Sequence, residues 1–204
     1  MNKLVIIGYS GHSYVCIETA LLSGFEVVGY FDIEEKLMNP YNINYLGSEN
    51  NLTKLDTNLF IAIGNNNLRH QVFERLSLNN YFSTLIHPNS IISSTTSVSS
   101  NVLISAGAIV NAYAKIGHGC IINTSSIIEH ECDIDDFVHI APGAVLAGNV
   151  KVGKRSFIGA NAVVKQGLTI GEDVVVGAGS VIINDIPSNS TVVGNPGRII
   201  KTRL

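Results

Sequence analysis

The sequence predicts a mostly β protein, in which a parallel β-helix forms the C-terminal part and a small α/β domain precedes it. Two observations support this prediction. Aliphatic residues recur at every sixth position from Ile92 to Ile182, and the first part of the chain alternates strand-like with helix-like segments. The composition agrees, because aromatic residues make up only 7% of the 204 residues and 19 glycines accompany a core of small aliphatic side chains.

The first 86 residues predict a small Rossmann-like domain, because short apolar strands alternate with helical segments. A buried strand ends at Gly8, a helix follows to about Leu22, and a second strand ends at Asp32. A third strand runs from Leu59 to Gly64, and a second helix reaches about Leu78.

The β-helix follows a boundary that we place at His87-Pro88, so that residues 1–86 form the first domain and residues 87–204 the second. Sixteen positions spaced by six are all aliphatic: Ile92, Val98, Ile104, Val110, Ile116, Ile122, Ile128, Ile134, Ile140, Leu146, Val152, Ile158, Val164, Ile170, Val176 and Ile182. Three such hexads would close one triangular coil of eighteen residues, and neighbouring coils would pair at a spacing of about 4.8 Å.

Two further positions of each hexad support the repeat. Uncharged, mostly small residues follow the aliphatic position by four, which leaves room at a tight corner. Turn formers such as Gly117 and Gly153 follow it directly, so we expect the turn there. Cys120 and Cys132 fall at the small inward position, where packing is a better explanation than reactivity.

Composition excludes several classes of function. A formal net charge of −3 gives no electrostatic reason to expect nucleic acid. The apolar run at residues 4–7 is too short for a signal peptide or a membrane span, so we expect no membrane partner. Three cysteines without metal-ligand spacing predict free thiols, a reducing cytoplasm and no metal.

The loop between the first strand and the first helix is a candidate phosphate site. Backbone N–H groups and the helix dipole favour negative charge at such a loop. Gly8 and Gly11 lack the third glycine of the dinucleotide fingerprint, so the diphosphate of a sugar nucleotide fits better than NAD. Asp32, at the end of the second strand, could accept hydrogen bonds from a ribose or base. A plain tight turn is the alternative.

His130 is the candidate general base. It lies two residues after the inward Ile128, so its side chain should point out of the prism, and imidazole titrates near neutral pH. Gly148 lies eighteen residues later, one full coil, and should stack beside His130 with its backbone N–H accessible. Glu131 follows the histidine, but adjacent side chains of a strand point apart, so the pair needs a corner to converge. A solvated surface histidine is the alternative reading.

Nearly the whole chain resembles the bacterial sugar O- and N-acetyltransferases of the hexapeptide-repeat superfamily. That group includes the UDP-4-amino-sugar N-acetyltransferases of bacillosamine-type glycan biosynthesis and the sialic acid O-acetyltransferases. The matching motifs are Gly8-Tyr9-Ser10-Gly11-His12, Ile61-Ala62-Ile63-Gly64-Asn65-Asn66, Asn123-Thr124-Ser125-Ser126, Glu129-His130-Glu131-Cys132, Ala147-Gly148-Asn149 and Val193-Gly194-Asn195-Pro196. The resemblance implies a left-handed β-helix, a homotrimer, and acetyl-CoA bound between neighbouring subunits.

The resemblance also implies residue roles. Glu131 would raise the basicity of His130, and Gly148 would stabilise the oxyanion. His139, Ala160 and Ala178 would contact acetyl-CoA, and Arg198 could reach a phosphate of the cofactor or simply be solvated. The acceptor sugar nucleotide would meet Ser10, Gly11, His12, Asp32, Gly64, Asn65 and Asn123. The chain departs from the family pattern at Ile33, where the UDP-sugar enzymes carry a second acid, unless Glu34 replaces it.

The leading hypothesis is therefore transfer of an acetyl group from acetyl-CoA to the amine of a UDP-4-amino-4,6-dideoxy sugar, without a metal. O-acetylation of sialic acid is the nearest alternative. A zinc hydratase using His118, His130 and His139 is a weaker one, because the spacings of twelve and nine residues do not match such a site. A non-catalytic trimeric scaffold is the third.

Overall fold

A computed structural model, which describes residues 2–202, confirms the predicted fold class. The N-terminal domain has a four-stranded parallel sheet in the order β3-β2-β1-β4 with two helices. Its elements are β1 (Asn2–Ile7), α1 (Gly11–Leu22), β2 (Phe25–Asp32), β3 (Tyr45–Ser48), a 3-10 turn (Glu49–Asn51), β4 (Asn58–Ile61) and α2 (Asn66–Ser77). The sequence analysis missed β3, a short edge strand without a continuous apolar run.

The β-helix is a three-sided prism of two-residue strands. We name its sides by what lies outside them. The covered face, under the N-terminal domain, contains Leu85–Ile86, Leu103–Ile104, Ile121–Ile122, His139–Ile140, Phe157–Ile158, Val175–Val176 and Ser190–Val193, with Arg198–Thr202 added antiparallel. The apolar face contains Ile91–Ile92, Ile109–Val110, Ile127–Ile128, Val145–Leu146, Val163–Val164 and Val181–Ile182. The polar face contains Ser97–Val98, Lys115–Ile116, Asp133–Ile134, Lys151–Val152 and Thr169–Ile170.

The hexad positions form the core of the prism, as the spacing predicts. The aliphatic residues from Ile104 to Ile182 are buried in one cluster, and Ile92 and Val98 pack against it. The apolar residues at the small positions join the same cluster, including Cys120 and Cys132, whose thiol pKa values burial raises. The first coil begins at Leu85, two residues before the predicted domain boundary, because Leu85–Ile86 pairs in register with Leu103–Ile104.

The turns differ from the expectation in a systematic way. Every sixth residue from Asn101 to Asp173, and Gly179 after them, has positive φ, three positions after the aliphatic residue rather than one. Gly117 and Gly153 are needed for a different reason. A Cβ there would come within 2.7 Å of the backbone of the next coil. Close stacking of coils, rather than turn conformation, therefore requires these glycines.

The N-terminal domain packs on the first coils of the covered face. Leu85, Leu103 and Ile121 point outward from the prism but are buried in the same apolar cluster as Leu4 and Ile6 of β1. Residues further along this face, beginning with His139, lie at the border of the domain contact. Within residues 2–202, neither helix has the length and apolar character needed to span a bilayer.

Candidate active site

His130 and Glu131 converge at the edge between the apolar and polar faces. Glu131 has φ of 60°, a left-handed conformation that turns its side chain back toward its neighbour. As a result Glu131 Oε2 lies 3.1 Å from His130 Nδ1, and both side chains remain mostly exposed, at 59% and 63%. The turn supplies the corner that the pair requires. A hydrogen bond from Nδ1–H to the carboxylate leaves Nε2 as the free basic nitrogen.

Gly148 stacks directly on the imidazole, one coil further. A Cβ on Gly148 would come within 2.6 Å of His130 Nε2 and Cε1, so only glycine leaves the ring in place. The carbonyl oxygen of Gly148 accepts a hydrogen bond from Gly167 N–H. Within residues 2–202, the Gly148 N–H donates no hydrogen bond to another group of the protein. A shallow cavity of about 260 Å³ at this edge is lined by both residues and by Asn149, Gln166 and Gly167.

Two of the predicted cofactor residues lie at the other border of the apolar face. Ala160 and Ala178 occupy the edge between the covered and apolar faces, at the same turn position that Gly148 occupies on its own edge. Their backbone N–H groups likewise donate to no group within residues 2–202. Arg198 is exposed in the C-terminal hairpin, where it contacts the Gly197 carbonyl. The structure therefore does not bring these residues to His130 within one chain.

His139 and Asn123 form a linked pair at the covered face. Asn123 Oδ1 accepts a hydrogen bond from Thr124 N–H at 2.8 Å, which leaves its Nδ2 to donate to His139 Nε2 at 3.1 Å. The neutral imidazole then carries its proton on Nδ1. That buried nitrogen lies near the Gly64 carbonyl without a well-aligned hydrogen bond. Both polar atoms of Asn123 are thus used within the protein.

Two half-buried histidines lie where the domains meet. The His12 and His139 rings are 6.4 Å apart. Burial, and secondarily the positive charge of Arg69, lowers the pKa of His12 to about 4 and that of His139 to about 3. Both imidazoles are therefore neutral at physiological pH.

The glycine-rich loop and Asp32 line one cavity in the N-terminal domain. Its volume is about 260 Å³, and its walls include Gly8, Ser10, Ile33, Lys36, Glu49, Ile63 and Gly64. Asp32 accepts hydrogen bonds from Tyr9 N–H and Ile33 N–H, each at 2.7 Å, and Lys36 Nζ lies 3.2 Å from its carboxylate. Asp32 therefore fixes the loop, while Lys36 adds a cation to the wall. Ile33, which replaces the second acid, is 67% exposed.

Sequence analysis missed Lys36 and the neighbouring cavity. Asn66, Asn67, Arg155 and Phe157 contribute to a cavity of about 300 Å³ between α2 and the prism, and Gly64 and Asn65 also line it. Asn65 caps α2, since its side chain accepts from Leu68 N–H at 3.0 Å. A lysine four residues after a strand end has no motif of its own, so only the fold brings Lys36 to Asp32.

The three histidines of the zinc hypothesis lie apart. His118 is on the edge between the polar and covered faces, beside Ser100. His130 is on the edge between the apolar and polar faces, and His139 on the covered face. In the part of the chain from residue 2 to residue 202, no three His, Cys, Asp or Glu side chains gather as a metal site.

Comparisons with known proteins agree with this fold. The family described as PglD N-terminal domain matches residues 3–76, and the hexapeptide repeat of succinyl-transferase matches residues 149–183. The acetyltransferase domain of PglB from Neisseria gonorrhoeae, solved with acetyl coenzyme A, is 34% identical with a TM-score of 0.92. That alignment covers 98% of this chain and 100% of the PglB domain.

Two further proteins are similar. PerB from Caulobacter crescentus, solved with CoA and GDP-perosamine, is 32% identical with a TM-score of 0.90, and the alignment covers 98% of both chains. The UDP-N-acetylbacillosamine N-acetyltransferase of Bacillus subtilis is 38% identical over 105 residues, which is 48% of this chain. The match spans 49% of that curated protein, about half its length.

Proposed function

Because this chain belongs to the family of acetyl-CoA-dependent sugar N-acetyltransferases that contains the PglB acetyltransferase domain and PerB, we propose that it acetylates the amine of a UDP-4-amino-4,6-dideoxy sugar. The observation that carries the proposal is the stack of Glu131, His130 and Gly148 on one edge of the prism. It combines an oriented base with an unused backbone donor, the two groups that amide formation from a thioester requires.

The reaction follows from the placement of these groups. The sugar amine attacks the thioester carbonyl, and His130 Nε2 accepts the proton that the nitrogen loses. The carbonyl oxygen gains negative charge, and the Gly148 N–H donates to it. When the tetrahedral intermediate collapses, the C–S bond breaks and the thiolate of CoA takes the proton from the imidazolium. Glu131 stabilises the imidazolium while it exists.

We infer that the site is completed between subunits of a homotrimer. The predicted base lies on one border of the apolar face, whereas Ala160 and Ala178 lie on the other. The outward residues of this face are all aliphatic: Ile91, Ile109, Ile127, Val145, Val163 and Val181. Ile91 is 64% exposed in the single chain, which favours a contact with another copy. Packing along this face would bring one subunit's His130 toward the neighbour's cofactor residues. It would also bring His130 toward the neighbour's cavity at Ser10 and Asp32, which we call the nucleotide-sugar cavity.

A thiol-release assay with acetyl-CoA tests the activity. The acceptor panel contains UDP-, dTDP- and GDP-linked 4-amino-4,6-dideoxy sugars and sialic acid. We expect release of CoA with a nucleotide amino sugar, fastest with the UDP form, and an acetylated amine by mass spectrometry. Acetylation of sialic acid alone would refute N-acetylation.

Complementation between variants tests the shared site. His130→Ala lacks the base and Ser10→Trp fills the nucleotide-sugar cavity, so each homotrimer should be inactive. Mixed trimers would regain activity, because some sites combine an intact base from one subunit with an intact cavity from another. A mixture of His130→Ala and Gly148→Ala is the matched control, since both changes affect the same edge. No recovery in either mixture would place the whole site in one subunit.

We also infer a cytoplasmic location, because the three cysteines Cys16, Cys120 and Cys132 are buried free thiols.

A further inference from the structure

Arg69, on the first turns of α2, is a buried cation at the junction of the two domains. Its side chain is only 1% exposed. Within residues 2–202, no carboxylate lies within salt-bridge distance of it, although a buried charge normally requires a partner of opposite sign. Burial lowers the pKa of Arg69 only to about 10, so the guanidinium is charged at neutral pH.

Neutral oxygen atoms satisfy the whole guanidinium. Its five N–H groups donate to five acceptors: Gly119 O from Nε at 2.6 Å, Ile63 O and Gly64 O from Nη1 at 2.8 and 3.1 Å, and Asn66 Oδ1 and Phe137 O from Nη2 at 2.8 and 3.1 Å. Three acceptors belong to the N-terminal domain, whereas Gly119 and Phe137 belong to turns on the same edge of two consecutive coils. A planar fork of fixed geometry therefore joins the two domains.

The segment that Arg69 holds is the wall of the acceptor site. Gly64 lines both the nucleotide-sugar cavity and the neighbouring cavity against the prism. The Gly64 carbonyl accepts a hydrogen bond from Arg69 Nη1 and lies near the buried Nδ1 of His139. Asn66, bound to Nη2, also donates from its own Nδ2 to the carbonyl groups of Arg155 and Ser156. The guanidinium thus fixes residues 63–66 relative to the β-helix.

We infer that Arg69 is a positioning residue, which holds the acceptor-binding loop at residues 63–66 in a fixed place on the β-helix so that the acceptor amine reaches the acetyl group. This inference rests on the proposed function. A hydrophobic residue could fill the same volume, and a lysine could supply the same charge. Neither can donate in five fixed directions to both domains.

Steady-state kinetics of Arg69→Lys and Arg69→Met test the inference. For both variants we expect KM for the nucleotide amino sugar to rise about tenfold or more, because small misplacements of a substrate are costly. KM for acetyl-CoA should rise much less, because His139 is the one predicted cofactor residue against this loop, whereas Ala160 and Ala178 lie on the edge between the covered and apolar faces. The lysine variant should recover only part of the loss. Gln71→Met, an exposed change on the same helix, is the matched control and should behave as wild type.

A truncated acceptor separates positioning from packing. An amino sugar 1-phosphate lacks the nucleoside, so it gains little from the loop, and wild type and Arg69→Lys should use it at similar rates. An equal loss with both acceptors, or an unchanged KM in Arg69→Lys, would overturn the inference. If Arg69→Met does not fold, the lysine variant decides. Wild-type inactivity with every nucleotide amino sugar would instead refute the proposed function.

Discussion

His118 and His130 occupy the same position of the repeated turn on two different edges of the prism, yet only one has the surroundings of a catalytic base. Each lies two residues after an inward isoleucine. His118 is followed by Gly119, and its side chain is hydrogen-bonded to that of Ser100. On the next coil, the carboxylate of Asp136 accepts a hydrogen bond from the His118 backbone N–H. His130 is followed by Glu131 and has Gly148 on the next coil. The repeat fixes where a side chain emerges, and the residues one and eighteen positions later determine its chemistry.

The largest effect should come from replacing His130, but not His118, with asparagine. His130→Asn removes the proposed base, and we expect kcat to fall about a thousandfold, within the range for general base catalysis. His118→Asn, the matched control at the same turn position, should keep kcat within about threefold because none of the proposed catalytic groups lies on its edge. The thiol-release assay measures both. Comparable losses would show that the turn position alone, rather than its neighbours, matters.

Gly148→Ala tests the second neighbour. Alanine occupies this same turn position at Ala112 and Ala160, so the backbone accepts it. The added Cβ would instead displace the imidazole and crowd the N–H donor, and we expect kcat to fall about a hundredfold. Gly148→Ala should cause a smaller loss in the His130→Asn background than alone, because the imidazole that the Cβ displaces is then absent. Full additivity of the two losses would contradict a shared action.

Glu131→Gln should have a smaller effect. Both side chains of the pair are exposed, and exposed pairs contribute up to about 1 kcal/mol, so kcat should fall about threefold to fivefold. Glu129→Gln removes the same charge two residues away and serves as the control. A loss of a hundredfold or more would mean that the site is much less hydrated during the reaction than in the isolated chain.

The half-buried His12 extends the comparison of histidines from catalysis to the pH dependence of stability. Its pKa of about 4 in the folded state lies below the ordinary value of 6.5, so the unfolded chain binds a proton first as the pH falls. The stability present above pH 6.5 should be lost progressively between pH 6.5 and 4, on the order of 3 kcal/mol from this residue. His12→Asn should flatten that loss, measured as the change in melting temperature between pH 7.5 and 4.5. An equal loss in both proteins would contradict the shift.

The prism could be predicted from the six-residue period, because every inward position is subject to the same packing constraint. Ile104 and Val110 could be assigned from spacing alone, and so could the stacking of His130 on Gly148, since eighteen residues return the chain to the same edge. The convergence of Glu131 with His130 could only be stated as a requirement, because a glutamate in the sequence does not indicate that its backbone has a positive φ. The contacts of Arg69 depend on how two domains meet, and no local pattern encodes that.

The eighteen-residue coil sets a rule for how the length of this chain can change. A duplication or loss of one complete coil between the domain junction and His130 would translate the base along the prism axis and leave it on the same edge. A change of six residues would rotate everything downstream by one third of a turn and move the imidazole to a different side. Chain length in this half is therefore effectively quantised, and viable insertions should come in whole coils or as excursions confined to a single turn.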